Sequence, residues 1–318
     1  MSIKIDDSFP LKLNFYKEEY LTKSLQISSE KINFFISHQN KFVREFERIK
    51  KDGISKRIIQ YPIGDYKLLL KRLNKLLMKR SNFDKSVVGG LRKKNLIDMV
   101  GKHCGKEAVF QIDLENFFPN ITSERVFSLF RKSNCSDEIT RKLTQLVTYQ
   151  NKIPQGFPTS TIIANIAAYK LDFVQVKICK EVNITRTRWI DDIVFSGRIS
   201  DLQKIVPSIK TSVKYNGFII NEKKTKFQFR KNNKIMSVGL EINTPKPRLP
   251  NRMVEEIKDY LSALSKYGKE YAYDLYENYF GIQKNDPLKS ILGKIKFINI
   301  YNPKDAKDLT DIYRKLVC

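Results

Sequence analysis

The sequence predicts an α+β fold in which a mixed strand-and-helix centre lies between two basic, mainly helical ends. Three observations lead there. Short β-branched or aromatic runs are interleaved with helix-length apolar stripes through the middle of the chain. Pro245, Pro247 and Pro250 crowd one short stretch and mark a boundary, after which the chain reads as helix. With 41% hydrophobic residues among 318, there are enough apolar side chains to fill a core or two. The predicted regions are 1–105, 106–243 and 244–318.

Taken in order, residues 15–46 carry apolar side chains at helical intervals, with Leu21, Leu25, Ile32, Phe35 and Ile36 inward. Residues 55–62, from Ser55 to a closing Pro62, suit a strand, and 68–78 a helix with Leu68, Leu69, Leu73, Leu76 and Leu77 inward. Residues 108–114 read as a buried strand ending on an acidic residue. A turn at Pro119-Asn120 follows, then a helix capped by Thr122 or Ser123 with Val126, Phe127, Leu129 and Phe130 on its apolar side. Residues 162–176 read as one helix. Residues 187–196 form a hairpin pattern, two strand-like runs flanking Asp191-Asp192, although a tip without glycine needs something else to favour it. Helix 202–215, strands 218–220, 227–229 and 236–242, and helix 253–264 complete the reading.

Lys and Arg number 59 against 34 Asp and Glu, an excess of +25 that points to a polyanionic partner, nucleic acid before all others. An acidic membrane surface is the other attractor. No run of about 18 apolar residues exists, however, and the opening MSIKIDDSFP lacks the features of a signal peptide, so no membrane partner and a cytoplasmic location are expected. Cys104, Cys135, Cys179 and Cys318 are scattered without a CxxC pair and read as reduced thiols rather than a disulfide or zinc framework. His38 and His103 are the sole histidines, which leaves almost nothing for Ser-His-Asp hydrolysis or a multi-histidine metal site. His103 is expected to pack rather than to meet RNA. Chemistry must therefore lean on carboxylates, Lys and Arg. Asp113 at a strand end and Asp191-Asp192 at a hairpin tip suit two-metal phosphoryl transfer, if the two strands are neighbours in one sheet. Taken singly, each is an ordinary cap or turn residue.

Trp189-Ile190-Asp191-Asp192 resembles the aromatic-x-Asp-Asp hairpin of reverse transcriptases. Phe110-Gln-Ile-Asp113-Leu-Glu-Asn-Phe-Phe118-Pro is similar to their first carboxylate motif. Ile153-Pro-Gln-Gly-Phe-Pro-Thr-Ser160-Thr-Ile-Ile-Ala-Asn165 matches their Pro-Gln-Gly-x-Pro-x-Ser-x-x-x-Ala-Asn segment almost letter for letter. The resemblance extends by motif from Lys56 to Ile242 and is nearest to the compact bacterial enzymes of retrons. It implies a right-hand polymerase: an N-terminal helical region and fingers over 1–105, a palm with an antiparallel sheet and packed helices over 106–243 with part of the fingers interleaved, and a helical thumb over 244–318. The thumb includes Gly281-Ile282 and 292–297. No stretch reads as a maturase or endonuclease module, so a near-minimal hand is expected.

By the same resemblance, Asp113, Asp191 and Asp192, with Leu114 beside the first, hold two magnesium ions (Mg2+), for which manganese (Mn2+) is a substitute. Lys56 and Arg57 meet the incoming triphosphate, unless they are merely a solvated basic strand. Gln155 and Gly156 line the nucleotide pocket, Gln155 hydrogen-bonding the substrate and Gly156 leaving room for it. Phe118, the fifth residue after Asp113, is a steric gate against the ribose 2′-hydroxyl or else a core ring, while its neighbour Phe117 points elsewhere. Lys224, in Gly217-Phe-Ile-Ile-Asn221-Glu-Lys-Lys224, is a general acid toward pyrophosphate. Met236-Ser237-Val238-Gly239-Leu240 is similar to the primer-grip hairpin, its glycine admitting a close backbone approach.

Three departures stand out: Trp189 replaces the usual Tyr or Phe, Met99-Val-Gly-Lys-His103 keeps only the His of the retron Asn-Ala-x-x-His element, and Ser237-Val238-Gly239 stands where retron enzymes have Val-Thr-Gly. The resemblance implies deoxynucleotide substrates, a structured noncoding RNA as template and primer, its DNA product in a branched hybrid, and effector proteins of a phage-defence system. Two other readings stand beside it: an abortive-infection reverse transcriptase using a different template or none, and an RNA-binding protein with a dead site.

Overall fold

The computed structural model describes residues 9–49, 56–231, 234–280 and 286–317. The readings at Ser55, Gly281-Ile282, Cys318 and the first eight residues fall outside these. The described chain begins with α1 (Glu18–Leu25), α2 (Ser29–Ser37) and α3 (Gln39–Phe42), followed by a two-stranded antiparallel sheet of β1 (Val43–Ile49) and β2 (Lys56–Pro62) and then α4 (Gly64–Arg80). Leu21, Leu25, Ile32 and Phe35 are buried as their spacing requires, with Ile36 half-buried. The helical reading of 15–46 overran into β1. Val43, Phe46 and Ile49 recur every third residue among charged helix formers, a helical pattern that cross-strand pairing with β2 overrides. In α4 the core face runs through Tyr66, Leu69, Leu70, Leu73 and Leu77. Leu68, expected inward, falls on the opposite side and is 52% exposed.

After α5 (Leu96–Val100) comes the central sheet, built from β3 (Ala108–Asp113), β4 (Thr185–Trp189), β5 (Asp192–Gly197) and β6 (Lys226–Phe229). Its order is β4-β5-β3-β6, antiparallel throughout. Helices α6 (Ser123–Lys132), α7 (Asp137–Val147), α8 (Ser160–Ala167), α9 (Tyr169–Glu181) and α10 (Ile199–Tyr215) belong to the same body. Thr122 caps α6 by accepting a hydrogen bond from Arg125 N. The single helix expected over 162–176 is two, divided at Ala168 (φ −87°, ψ 2°). Main-chain hydrogen bonds from Ala168 N to Ala164 O and from Asp172 N to Ala168 O bridge the division, so no breaker residue is needed.

The strand expected over 236–242 is a small hairpin, β7 (Met236–Ser237) and β8 (Leu240–Glu241). Its two loop residues, Val238 and Gly239, have φ of 48° and 83°, the pattern of a type I′ turn. A Cβ on Gly239 would meet nothing within 4 Å, so glycine is there for its positive φ and not for close backbone approach. Of the strand expected over 218–220, only a bridge between Ile220 and Leu114 forms.

One large apolar core draws on residues from Leu11 to Phe218 and so joins the N-terminal helices to the central sheet. A second lies within α11 (Asn251–Phe280), α12 (Pro287–Tyr301) and α13 (Pro303–Val317), where Ile257, Tyr260, Leu261, Ile295 and Leu309 are buried; α11 is interrupted at Gly268. A third, smaller cluster sets Val88, Met99, Val100, Val109 and Val194 against Ile235, Leu240 and Ile242. His103 is buried under the sheet, hydrogen-bonded through Nδ1 to Ser196 Oγ and through Nε2 to Thr187 Oγ1, each at 2.7 Å. Burial, with Lys102 and Lys106 nearby, depresses its pKa to about 3, so it packs as an uncharged ring. No described helix is long and apolar enough to cross a membrane.

Candidate active site

The condition set by the sequence, that the two acidic strand ends be neighbours, is met in the central sheet. β3 and β5 are hydrogen-bonded in a register that puts Asp113 directly opposite Asp192. Leu114 N donates to Asp191 O at 3.0 Å, and Asn221 N donates to Asp113 O at 2.9 Å, so the segment before β6 is tied to the same point. Beside it opens a cleft of about 890 Å³. Its lining includes Lys56, Arg57 and Gln60 from β2, Asp113 to Pro119 after β3, Lys152 to Gln155, Ile190-Asp191 at the hairpin tip, and Ile220 to Lys224.

Of the residues singled out in the sequence, the cleft gathers Lys56, Arg57, Asp113, Leu114, Phe118, Gln155, Asp191 and Lys224. Asp192, Gly156 and Trp189 are not in its lining. Asp192 Oδ1 instead accepts a hydrogen bond from Gln111 Nε2 at 3.1 Å. Gly156 has a different reason for being glycine than substrate room, because a Cβ there would lie 2.4 Å from the Gln60 carbonyl oxygen, and it is β2 that needs the space. Trp189 is half-buried against the third apolar cluster. Phe118 is half-buried in the cleft wall, whereas Phe117 is buried with its ring 5.3 Å from that of Phe218, so the two neighbouring rings do diverge. Lys56 is paired with Glu47 across the β1–β2 sheet at 2.6 Å.

Burial raises the pKa of Asp191, and Asp113 adds to the effect while Lys224 and Arg57 oppose it. Asp192 is pushed up to about 6 by burial and by Asp191 and Asp113, against the Gln111 hydrogen bond and Lys224. Lys224 Nζ lies 3.1 Å from Asp113 Oδ2, a cation set against the carboxylate cluster. Like charges crowded this way hold a standing demand for cations.

The donor set suits a hard divalent cation, which takes carboxylate and carbonyl oxygens. Asp113, Asp191 and Asp192 would supply the former and the Leu114 backbone the latter. Among the described residues, no three acidic, His or Cys side chains stand close enough together to enclose an ion. Directly opposed strand residues have Cβ atoms about 5 Å apart. The 113–192 register therefore sets this carboxylate pair side by side on one face of the sheet, with Gln111 and Lys224 as their present partners.

The hairpin tip also has an answer to its missing glycine. Ile190 takes φ of 59°, a left-handed value that is an outlier for a β-branched residue. The glycine lies beside the tip: a Cβ on Gly89 would sit 2.5 Å from Ile190 N. Sequence reasoning missed Gly89, Gln111, Asp172 and Arg188, and passed over Asn165 as a mere motif letter. The signals were present as Gly89-Gly90 after two valines, two arginines at alternate positions of an otherwise buried strand, and an Asp inside an apolar helix.

The reverse transcriptase (RNA-dependent DNA polymerase) family profile matches residues 49–260, and the chain belongs to that family. Among curated relatives it is 28% identical over 254 residues to the Retron Ec48 reverse transcriptase of Escherichia coli, an alignment covering 76% of this chain and 62% of that protein. It is 26% identical over 243 residues to the Retron Ec86 reverse transcriptase of the same organism, covering 75% of each. Among solved structures, apo telomerase from Candida tropicalis superposes with a TM-score of 0.51 at 12% identity, over 90% of this chain and 63% of that one, a likeness of fold. The α+β right-hand polymerase fold and the retron-type relationship expected from the motifs are both borne out.

Proposed function

We propose that the chain is the RNA-directed DNA polymerase of a retron, copying a cognate structured noncoding RNA into multicopy single-stranded DNA that stays joined to the RNA through a guanosine 2′-hydroxyl. The observation that carries this reading is the Asp113–Asp192 register with Asp191 at its edge, opening on a cleft that also holds Arg57, Gln155 and Phe118. Asp113, Asp191 and Asp192, with the Leu114 carbonyl, are the residues that would hold two magnesium ions, or manganese in their place. Bound there, such ions activate an attacking hydroxyl and stabilise leaving pyrophosphate.

The chain's own side chains do the rest. Arg57 and Lys56 orient triphosphate oxygens from the fingers side. Gln155 hydrogen-bonds the nucleotide, and Lys224 is placed to hold a proton at Nζ for the departing group. Phe118 closes the space a ribose 2′-hydroxyl would need. Trp189, packed against the cluster that includes Val238 and Leu240, supports the primer end. Residues 1–105 serve as an N-terminal helical region and fingers, 106–243 as the palm with part of the fingers interleaved, and 244–318 as the helical thumb. The +25 charge suits RNA held in the cytoplasm through many Lys and Arg contacts, and an effector partner in antiphage defence completes the assignment.

Sequencing the nucleic acid that copurifies with the protein tests the reading. One structured RNA, covalently branched to DNA, is expected; untemplated DNA would point to the abortive-infection alternative, and RNA without DNA would reject polymerase function. Phe118→Ala is expected to raise ribonucleotide incorporation relative to deoxynucleotide by at least about tenfold, since a lost steric clash is worth more than 1.4 kcal/mol. Competition extension assays measure it, and an unchanged ratio would remove Phe118 from the gate.

A further inference from the structure

We propose that Arg188 is a positioning residue: backed by Asp172 and Asn165, it holds the turn carrying Asp191 in its left-handed conformation and thereby sets the protein's affinity for divalent cations. The inference deepens the two-metal reading above and rests on it.

Arg188 is wholly buried. Its Nε donates to Asp172 Oδ1 at 2.7 Å and its Nη2 to Asp172 Oδ2 at 2.6 Å, a two-pronged pairing that fixes the plane of the guanidinium. The remaining nitrogen, Nη1, donates to Asn165 Oδ1 and to the carbonyl oxygen of Ile190, both at 2.9 Å. That carbonyl belongs to the peptide joining Ile190 to Asp191. Asn165 Nδ2 in turn donates to Gly89 O at 2.9 Å, and Val88 N and Gly89 N donate back to Arg188 O at 2.9 and 3.2 Å. Gly89 then presses on the turn from outside, with no room for a Cβ against Ile190 N or Trp189.

The contacts form a closed circuit running from Arg188 on β4 to Asn165 on α8, to the 86–90 loop, and back to Arg188 O, while Asp172 on α9 holds the same guanidinium from another side. A β-branched residue held at positive φ persists only where its surroundings over-determine it, and this circuit does so from both sides. Arg186 also reaches Asp172, and donates besides to Gln175 Oε1 and Ser86 Oγ; it ties strand to helix without touching the turn. Joining β4 to α9 therefore does not require Arg188. Its distinctive bond is the one to Ile190, which fixes where the Asp191 backbone, and with it the carboxylate, begins.

The test measures cation binding directly. Trp189 is the chain's one tryptophan and immediately precedes the turn, so terbium(III) emission sensitised by exciting at the red edge, where tyrosine does not absorb, reports binding at the tip without substrate. Three variants of the full chain are compared with wild type: Arg188→Gln, Arg188→Lys and Gly89→Ala. Each is expected to weaken terbium binding, and to raise the magnesium concentration for half-maximal primer extension, by about 10- to 100-fold, the range for residues behind a metal ligand. Arg188→Lys should not rescue, because an ammonium cannot reproduce the fork.

Melting temperature and RNA retention separate this from general damage. Gly89→Ala removes no ion-pairing group and perturbs the turn from its other side, so it keeps the proposal testable if Arg188→Gln fails to fold. Folded variants with wild-type terbium affinity would overturn the positioning role while leaving the two-metal reading standing. Absence of terbium binding by the wild type would overturn that reading and the proposal together.

Discussion

Replacing Asp191 and Asp192 together with asparagine is expected to reduce primer extension by at least about a thousandfold while bound RNA is retained. The substitutions keep side-chain volume and leave one carbonyl oxygen on each residue, but remove two negative charges from the place where cations would be held. Preorganised charge at a reacting centre is worth on the order of 100- to 1000-fold per lost interaction, and two carboxylates act here as a unit. Their ionisation is already opposed by burial and mutual repulsion, with Asp192 raised to about 6, so the metal-free protein gains rather than loses stability when the charges go. RNA affinity is expected to come from the large Lys and Arg excess and not to fall, since a less acidic cleft attracts polyanions more strongly. Extension on a labelled primer, alongside quantitation of copurified RNA, measures both. Extension at the wild-type rate would reject the site.

The second large effect concerns stability. Asp172→Ala is expected to destabilise the protein by about 3–5 kcal/mol, the range for removing one partner of a buried pair. The Arg186 and Arg188 side chains it would leave without their counter-ion are only 2% and 0% exposed. Burial alone would raise the pKa of Asp172, yet the two guanidiniums hold it below the ordinary carboxylate value, which shows how strongly the cluster depends on that one negative charge. Against a total stability of about 5–15 kcal/mol, the change should lower the melting temperature by on the order of 10 °C or leave the chain insoluble. Asp65→Ala, which removes an exposed pair with Lys31 whose side chains are 61% and 49% accessible, is the contrast: such pairs contribute about 0–1 kcal/mol. Equal melting temperatures for the two variants would sink the argument.

These cases separate what the sequence discloses from what it hides. Asp113, Asp191 and Asp192 are legible because each sits at the end of a short apolar strand, and strand patterns and acidic tips are local features. The Gln155 loop is legible as a letter pattern. Register is not local: that Asp113 faces Asp192 depends on β3 being sandwiched between β5 and β6, which no window along the chain contains. β1 was hidden for the same reason, its three-residue apolar rhythm yielding to a partner strand. Arg188 was hidden by chemistry, since an arginine in a strand reads as surface until Asp172, 16 residues earlier, is seen to neutralise it. For Gly156 the motif was legible but the Gln60 carbonyl that lies where its side chain would be was not, since Gln60 is far away along the chain.

That last contact has a mechanical consequence. Gln60 lies on β2 and Gly156 on the loop that carries Gln155, and the carbonyl of one fills the notch in the other. Gln60 Nε2 also donates to Gln150 Oε1, at 2.9 Å, just before that loop. The strand bearing Arg57 and the loop bearing Gln155 are thus keyed to each other by a steric notch and a hydrogen bond, so a tilt of either would have to be matched by the other.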